Sequence, residues 1–239
     1  MPRFFVSTPP QAQTVLTGED GRHLVRSLRV QIGEPLILCD GQGTDYHCTV
    51  SAICGDAVTV TVQSIHLSAG EPSVSVTLYQ ALPKSDKFDS VVQKAVELGV
   101  THIVPMRTAR CVSRPDAQAA QKKVVRWQKI AVEAAKQCGR GILPTVQPVT
   151  DFISALRQAQ GILLFCYEGG GAPIPQLLSP TATACALFIG PEGGFTPEEV
   201  QLAQTAGAKP ATLGPRILRT ETAPIAALAA IMLTTGNLN

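Results

Sequence analysis

Hydrophobic and polar positions follow two different rhythms along this chain. Over the first 70 residues they alternate in short runs. Pro35–Cys39 is a compact apolar segment followed by the turn signal Asp40-Gly41-Gln42-Gly43. Tyr46–Ile53 and Val58–Val62 alternate with period two on either side of Cys54-Gly55-Asp56. Short strands at that spacing predict a small β-barrel. Before them, Gly18–Val30 predicts one short helix. Leu24 and Leu28 repeat there at i, i+4, and Arg22, Arg26 and Arg29 fall on another face. Residues 68–73 read as a linker.

After the linker the rhythm changes to alternating strands and helices. Val74–Leu82 and Val100–Met106 predict strands. Ser85–Leu98 predicts a helix with Ser85 as its N-cap and Gly99 as its stop. Ala117–Gln137 predicts a long helix. Ile162–Tyr167 and Ala184–Ile189 are apolar throughout, as buried strands are. The expected architecture is therefore α/β, with a β domain over residues 1–70 and a parallel sheet covered by helices over 74–239.

Composition narrows the class. The apolar fraction of 45% supports packed cores, and the charged fraction is only 16%. No apolar run reaches a membrane span of roughly 18–20 residues, and the first residues carry no leader-like apolar region. Seven cysteines include no Cys-x-x-Cys pair, and the four histidines do not gather near them. The expectation is a cytoplasmic protein without a metal site, its cysteines serving as small core residues. Net charge is +2 overall, but residues 84–140 hold 12 basic against 5 acidic side chains. That basic middle is a candidate phosphate-binding region, with a solvated helix face as the competing reading.

Two loops carry the chemistry. The apolar run Ala184–Ile189 stops at Gly190-Pro191 and is followed by Glu192-Gly193-Gly194-Phe195. Thr196-Pro197-Glu198-Glu199 then starts a helix, with Thr196 as cap, Pro197 at the first position and Glu199 closing a capping box. A strand, a glycine turn and a helix start bring backbone amides close to a small ligand. The second loop follows a short strand, Ala211-Thr212-Leu213, and runs Gly214-Pro215-Arg216-Ile217-Leu218-Arg219-Thr220-Glu221. It sets two bulky apolar residues between two arginines. From Thr222 to the end there is no charged residue. An uncharged helix there is expected to be buried, against the core on one side and a second subunit on the other.

Gly190–Phe195 followed by Leu213-Gly214-x-Arg216-Ile217-Leu218-Arg219-x-Glu221-Thr222-Ala223 resembles the paired signature of the RsmE family. These are bacterial methyltransferases of the SPOUT class. Gln93-Lys94-Ala95-x-Glu97-Leu98-Gly99-Val100, Arg126-Trp127-x-Lys129-Ile130-Ala131 and Arg22-His23-Leu24 are similar to further motifs of that family, and the likeness covers nearly the whole chain. Ala109 stands where relatives often carry Glu, and Lys136-Gln137 stands where they often read Glu-Gln. The resemblance implies a PUA-like β-barrel that binds RNA. It also implies a SPOUT-type α/β domain with a parallel sheet and a deep C-terminal trefoil knot, which forms a homodimer. It implies S-adenosylmethionine as cofactor and N3 of uracil in 16S ribosomal RNA of the small subunit (uridine 1498 by the same likeness) as the methylated atom.

On that footing, Ile189, Gly190, Pro191, Glu192, Gly193, Gly194, Leu213, Gly214, Ile217, Leu218 and Thr220 are the candidate cofactor residues. Glycine loops read the hydrogen-bonding edge of an adenine while apolar side chains sandwich its faces. Arg219 and Glu221 are the catalytic candidates. An arginine stabilises an imide anion and a carboxylate accepts its proton; a salt bridge bracing the loop is the competing role. Arg22, His23, Arg26 and Arg29 are candidate RNA contacts. So are Lys84, Lys87, Arg107, Arg110, Arg114 and Arg140. A ribose 2′-O methyltransferase of the same class, or a non-catalytic RNA-binding protein, stands as the alternative. A phosphate site in the glycine loop is disfavoured by Glu192 and by the lack of a Lys-Ser/Thr ending.

Overall fold

The computed structural model describes residues 1–238. They form two compact units. Met1–Glu71 and Ala135–Leu143 make the first; Pro72–Ala134 and the chain from Pro144 onward make the second.

In the first unit β1 (Arg3–Phe5) and β2 (Gln13–Leu16) precede α1 (Gly18–Arg22), which runs straight into a wider π-helical turn over His23–Leu28. β3 (Pro35–Cys39), β4 (Thr44–Cys54) and β5 (Ala57–Leu67) follow. The five strands pair in the order β1-β3-β4-β5-β2. β3, β4 and β5 form an antiparallel meander, and β1 lies parallel to β3. Gly55, at φ 58°, supplies the left-handed residue that closes the two-residue turn between β4 and β5. Period-two alternation turns Tyr46, Cys48 and Val50 inward from β4, and Val58 and Val60 from β5. They pack on Leu24, Leu36 and Leu38.

The predicted helix over 18–30 is shorter than its pattern. It ends at Leu28, and Arg29 turns left-handed at φ 53°. Leu24 is fully buried, but Leu28, in that last turn, is exposed.

Polar side chains pin the unit at two points. Arg3 donates to both oxygens of Asp45 at 2.6 and 2.8 Å, and Ser68 adds a third donor at 2.5 Å. Glu71 receives the guanidinium of Arg140 at 2.9 Å and the backbone N–H groups of Gly141 and Ile142 at 2.8 and 3.0 Å.

The second unit starts with β6 (Ser75–Ala81), α2 (Lys87–Glu97), β7 (His102–Arg107) and α3 (Ala117–Cys138), the last turn of which lies in the first unit. β8 (Thr145–Val146), β9 (Thr150–Asp151), α4 (Phe152–Gln158), β10 (Ile162–Cys166), β11 (Ala172–Pro173) and α5 (Ile174–Leu177) follow. β12 (Ala184–Ile189), α6 (Pro197–Thr205), β13 (Lys209–Thr212) and α7 (Ala223–Thr234) complete it. The sheet order is β11-β13-β10-β12-β6-β7-β8, with β9 also on β7. Its pairings are parallel, as the strand–helix alternation predicts.

α2 buries Phe88, Val91, Val92 and Ala95 in the expected stripe. Its start differs from expectation. Ser85 sits at φ 58° and cannot cap; Asp86 takes the cap position without a side-chain bond. The uncharged α7 buries Ala227, Leu228, Ile231 and Met232, while Leu233 is exposed. No disulfide links the seven cysteines, and five of them are buried.

Candidate functional site

The strands β10, β12 and β13 lie side by side and end at the same edge of the sheet. Each gives way to a loop containing glycine. The loops after β12 and β13 are the two read from sequence. The third, Tyr167-Glu168-Gly169-Gly170-Gly171, follows β10. Together they wall a cavity of about 900 Å³.

Local chemistry explains the loop after β12. Phe195 packs its ring 4.3 Å from that of Phe165 and so pins the loop's far end to the sheet. Gly190 lies under the same ring, where a Cβ would meet it at 3.0 Å. Gly194 is left-handed at φ 66°, and a Cβ there would run into the Glu168 carboxylate. Behind the loop, Thr196 caps α6 and the capping box closes in both directions. Glu199 does more than complete that box. Its other oxygen accepts the N–H of Ala109 at 2.7 Å. Arg110 then donates to the carbonyl of Gly193 at 2.9 Å. The segment after β7 therefore braces the glycine loop from outside.

All eleven candidate cofactor residues line the cavity, as does Arg219. Leu213 and Leu218 give it a half-buried apolar wall, and Ile217 stands 88% exposed at its edge. Thr220 is buried. Its hydroxyl donates to the carbonyl of Gly190 at 2.7 Å, tying one loop to the other.

The charged candidates sort themselves by partner. Glu192 accepts the backbone N–H of Lys84 at 3.0 Å. Lys87 stands between two carboxylates, 3.1 Å from Glu221 and 3.8 Å from Glu192. The little burial Glu221 has acts to raise its pKa. Hydrogen bonds from the backbone and from Lys87 outweigh that and hold it below the usual glutamate value. Lys87 is thus a cavity cation in an ion pair. The salt-bridge role foreseen for Glu221 is real, but its partner is Lys87. Cys166 also reaches the cavity; burial, and to a lesser degree the neighbouring Cys185, pushes its thiol up to about 12, so it supplies no thiolate at neutral pH.

The RNA candidates fare unevenly. Arg22, His23 and Arg29 are exposed on the first unit. Arg26 is exposed but held by Asp56 at 2.6 Å, and Arg29 lies beyond the helix end, so the three arginines share no helical face. Lys84 and Arg107 are exposed on the second unit. Arg114 donates to the carbonyls of Ala109 and Cys111. Arg140 is a correction. It is 3% exposed and committed to Glu71, so it presents no charge to a phosphate.

Sequence reasoning missed Glu168 and Gly170 as cavity residues and Lys87 as a cavity cation. The first two had a visible signal: an apolar strand ending in a glycine run, the same sign that located the loop after β12.

Known proteins similar in sequence and in fold converge. Residues 70–232 match the family model described as an RNA methyltransferase domain, and residues 16–63 match that of an RNA methyltransferase PUA domain. The ribosomal RNA small subunit methyltransferase E of Bacillus subtilis is 35% identical over 97% of this chain and 96% of its own. The protein of the same name from Synechocystis is 34% identical over 92% of this chain and 73% of its own. A ribosomal RNA small subunit methyltransferase E from Neisseria gonorrhoeae, solved bound to S-adenosyl methionine, superposes with a TM-score of 0.87 at 33% identity, covering 98% of this chain and 97% of that one. A Legionella pneumophila protein solved in complex with the bound cofactor SAM gives the same TM-score at 32% identity, over 97% and 96% of the two chains.

Proposed function

Given that the chain belongs to the ribosomal RNA small subunit methyltransferase E family, we propose that it methylates N3 of one uracil, uridine 1498, in the 16S RNA of the small ribosomal subunit. The observation that carries this reading is the single cavity walled by both signature loops.

The cavity's residues fit S-adenosylmethionine. It has room for a nucleoside, an apolar wall at Leu213 and Leu218, and backbone groups at Gly214 that no side chain hides. Glu168 adds an anion at its edge, suited to a cationic ligand. When bound, that cofactor supplies an electrophilic methyl group on a sulfonium. The protein's part is to align the acceptor and keep water out.

Arg219, exposed at the cavity, is the group we assign to stabilise the imide anion of the uracil. Glu221 is assigned to bracing. A carboxylate held below its ordinary pKa by backbone hydrogen bonding and by Lys87 is a weak base for a weakly acidic imide. The target base must be unpaired or flipped for N3 to be reached.

The remaining assignments follow the family. Residues 1–70 act as a PUA-like barrel that binds RNA through Arg22, His23 and Arg29, and residues 74–239 hold the cofactor and the dimer interface. The chain around the two tied loops is threaded as a trefoil knot. The uncharged α7, with Leu233 outside, supports a homodimer. The protein acts in the cytoplasm, where its substrate is.

The test is incubation with unmodified small subunits and S-adenosylmethionine, followed by nucleoside mass spectrometry. N3-methyluridine is expected. A 2′-O-methyl nucleoside, or no methylated nucleoside, would overturn the assignment.

A further inference from the structure

Gln80 lies near the end of β6, is fully buried and is not among the cavity's lining residues. Its hydrogen bonds follow from the ladder beside it. Ser75 pairs with Ala184, and its N–H donates to the carbonyl one residue earlier, at Thr183. In a parallel ladder the carbonyl of the same residue looks to the N–H one residue after its partner. Gln80 stands opposite Ile189. One step further, the rule assigns the carbonyl of Ala81 to the N–H of residue 191. Residue 191 is proline and has no N–H.

The Gln80 side chain fills that gap. Its Nε2 donates to the carbonyl of Ala81 at 3.1 Å. The same nitrogen donates to Thr220 Oγ1, also at 3.1 Å. Thr220 then donates to the carbonyl of Gly190 at 2.7 Å. A flipped amide would set oxygen against the Ala81 carbonyl, so the orientation is fixed. The other amide atom, Oε1, meets no donor among the described residues. A buried acceptor without a partner is destabilising. A leucine of similar size would remove that cost but leave the buried Ala81 carbonyl without its donor, so the two costs offset and stability alone does not account for an amide here.

We propose that Gln80 is a positioning residue for the cofactor pocket. Through Thr220 its amide locks the loop after β12 to the loop after β13, and it does so because the Gly190-Pro191 step leaves a strand carbonyl to be satisfied. The inference rests on the cofactor reading above, but the lock itself is a property of the free protein.

Gln80→Leu, Thr220→Val and the double variant test it. In the free protein, amide exchange at Gly194 and Thr222, which bond to the carbonyls of Pro191 and Arg219, should quicken about tenfold in either single variant, the scale of one hydrogen bond. KM for S-adenosylmethionine should rise about tenfold, with kcat falling less than about threefold and the melting temperature held. The double variant should add little to either single one, because both break the same chain of bonds. Thr220→Val carries the test alone if Gln80→Leu does not fold. Unchanged exchange and KM, multiplying effects in the double variant, or a melting temperature that drops in step with affinity would each overturn the proposal. Absence of S-adenosylmethionine binding in the wild type would instead sink the cofactor reading, and the exchange comparison would still decide the role of Gln80.

Discussion

Replacing Glu199 with alanine should destabilise the second unit by about 3 kcal/mol and loosen the glycine loop in front of α6. The residue is only 8% exposed, so its bonds are poorly replaced by water. One oxygen accepts the N–H of Thr196 at 2.9 Å and the other that of Ala109 at 2.7 Å. Each hydrogen bond to a charged group contributes about 1.5–3 kcal/mol. The lower end of that range, taken twice, gives about 3 kcal/mol. For a unit of this size the melting temperature should fall by roughly 6–12 °C. Thr196→Ala is the control. It removes one cap bond, at 3.2 Å, and should cost about 1 kcal/mol. Scanning calorimetry reads both variants. Titration with S-adenosylmethionine should show weaker binding in Glu199→Ala than in Thr196→Ala, because only the former frees the segment whose Arg110 holds the Gly193 carbonyl. Equal shifts in the two variants would show that the Ala109 bond contributes nothing, and the bracing argument would fail.

Further outcomes follow from the charged groups. Arg219→Ala should leave S-adenosylmethionine affinity within about threefold and slow methyl transfer by about 10²–10³, the usual loss for one electrostatic stabiliser; unchanged single-turnover rates would remove Arg219 from the chemistry. Arg3→Ala should destabilise the first unit by about 3–5 kcal/mol, since Asp45 then keeps a buried charge without its cation. Burial acts to raise the Asp45 pKa, but the hydrogen bonds from Arg3 and Ser68 outweigh it and hold it low. The wild type's gain from this carboxylate is therefore present above the ordinary aspartate value near about 4 and lost as pH falls through the lower folded value. Acid unfolding followed by circular dichroism should show that contribution shrink in Arg3→Ala. Arg22→Glu with Arg29→Glu should weaken RNA binding and flatten its salt dependence by about 0.7–0.9 in slope per lost phosphate contact. Arg26→Ala, whose charge Asp56 already holds, should cost less; an equal loss would show that the ion pair opens on binding.

The sequence made the local features of this molecule legible wherever neighbours along the chain decide them. β3 and β12 begin and end where their apolar runs do, and the capping box of α6 forms as Thr196 and Glu199 dictate. What stayed hidden depends on partners far away in the chain. Ser85 has the chemistry of a cap, yet its left-handed backbone follows Lys84, whose N–H is held by Glu192 across 108 positions. The N-cap of α4, where Asp151 accepts from Ser154 at 2.9 Å, was readable in principle but lies in a stretch with weak periodicity. Gln80 has no sequence signal at all. Its role exists only because a proline in the loop after the neighbouring strand lacks a donor.

Charge shows the same limit in a form that bears on function. The basic surplus over residues 84–140 suggests a continuous phosphate-binding surface. In space, three of its cations face acids from outside that window: Lys87 meets Glu221 and Glu192, Lys136 meets Asp20, and Arg140 meets Glu71. A fourth, Arg126, is held by Asp89 and Asp86 within it. Arg110 and Arg114 donate to backbone carbonyls around the glycine loop. Lys84, Lys94, Arg107, Lys122 and Lys129, like Arg22 and Arg29 on the first unit, are exposed and form no ion pair among the described residues. Phosphate contacts release counterions only where the protein's charge is not already neutralised. The salt dependence of RNA binding should therefore follow this smaller set of exposed cations, and not the count of basic residues along the chain.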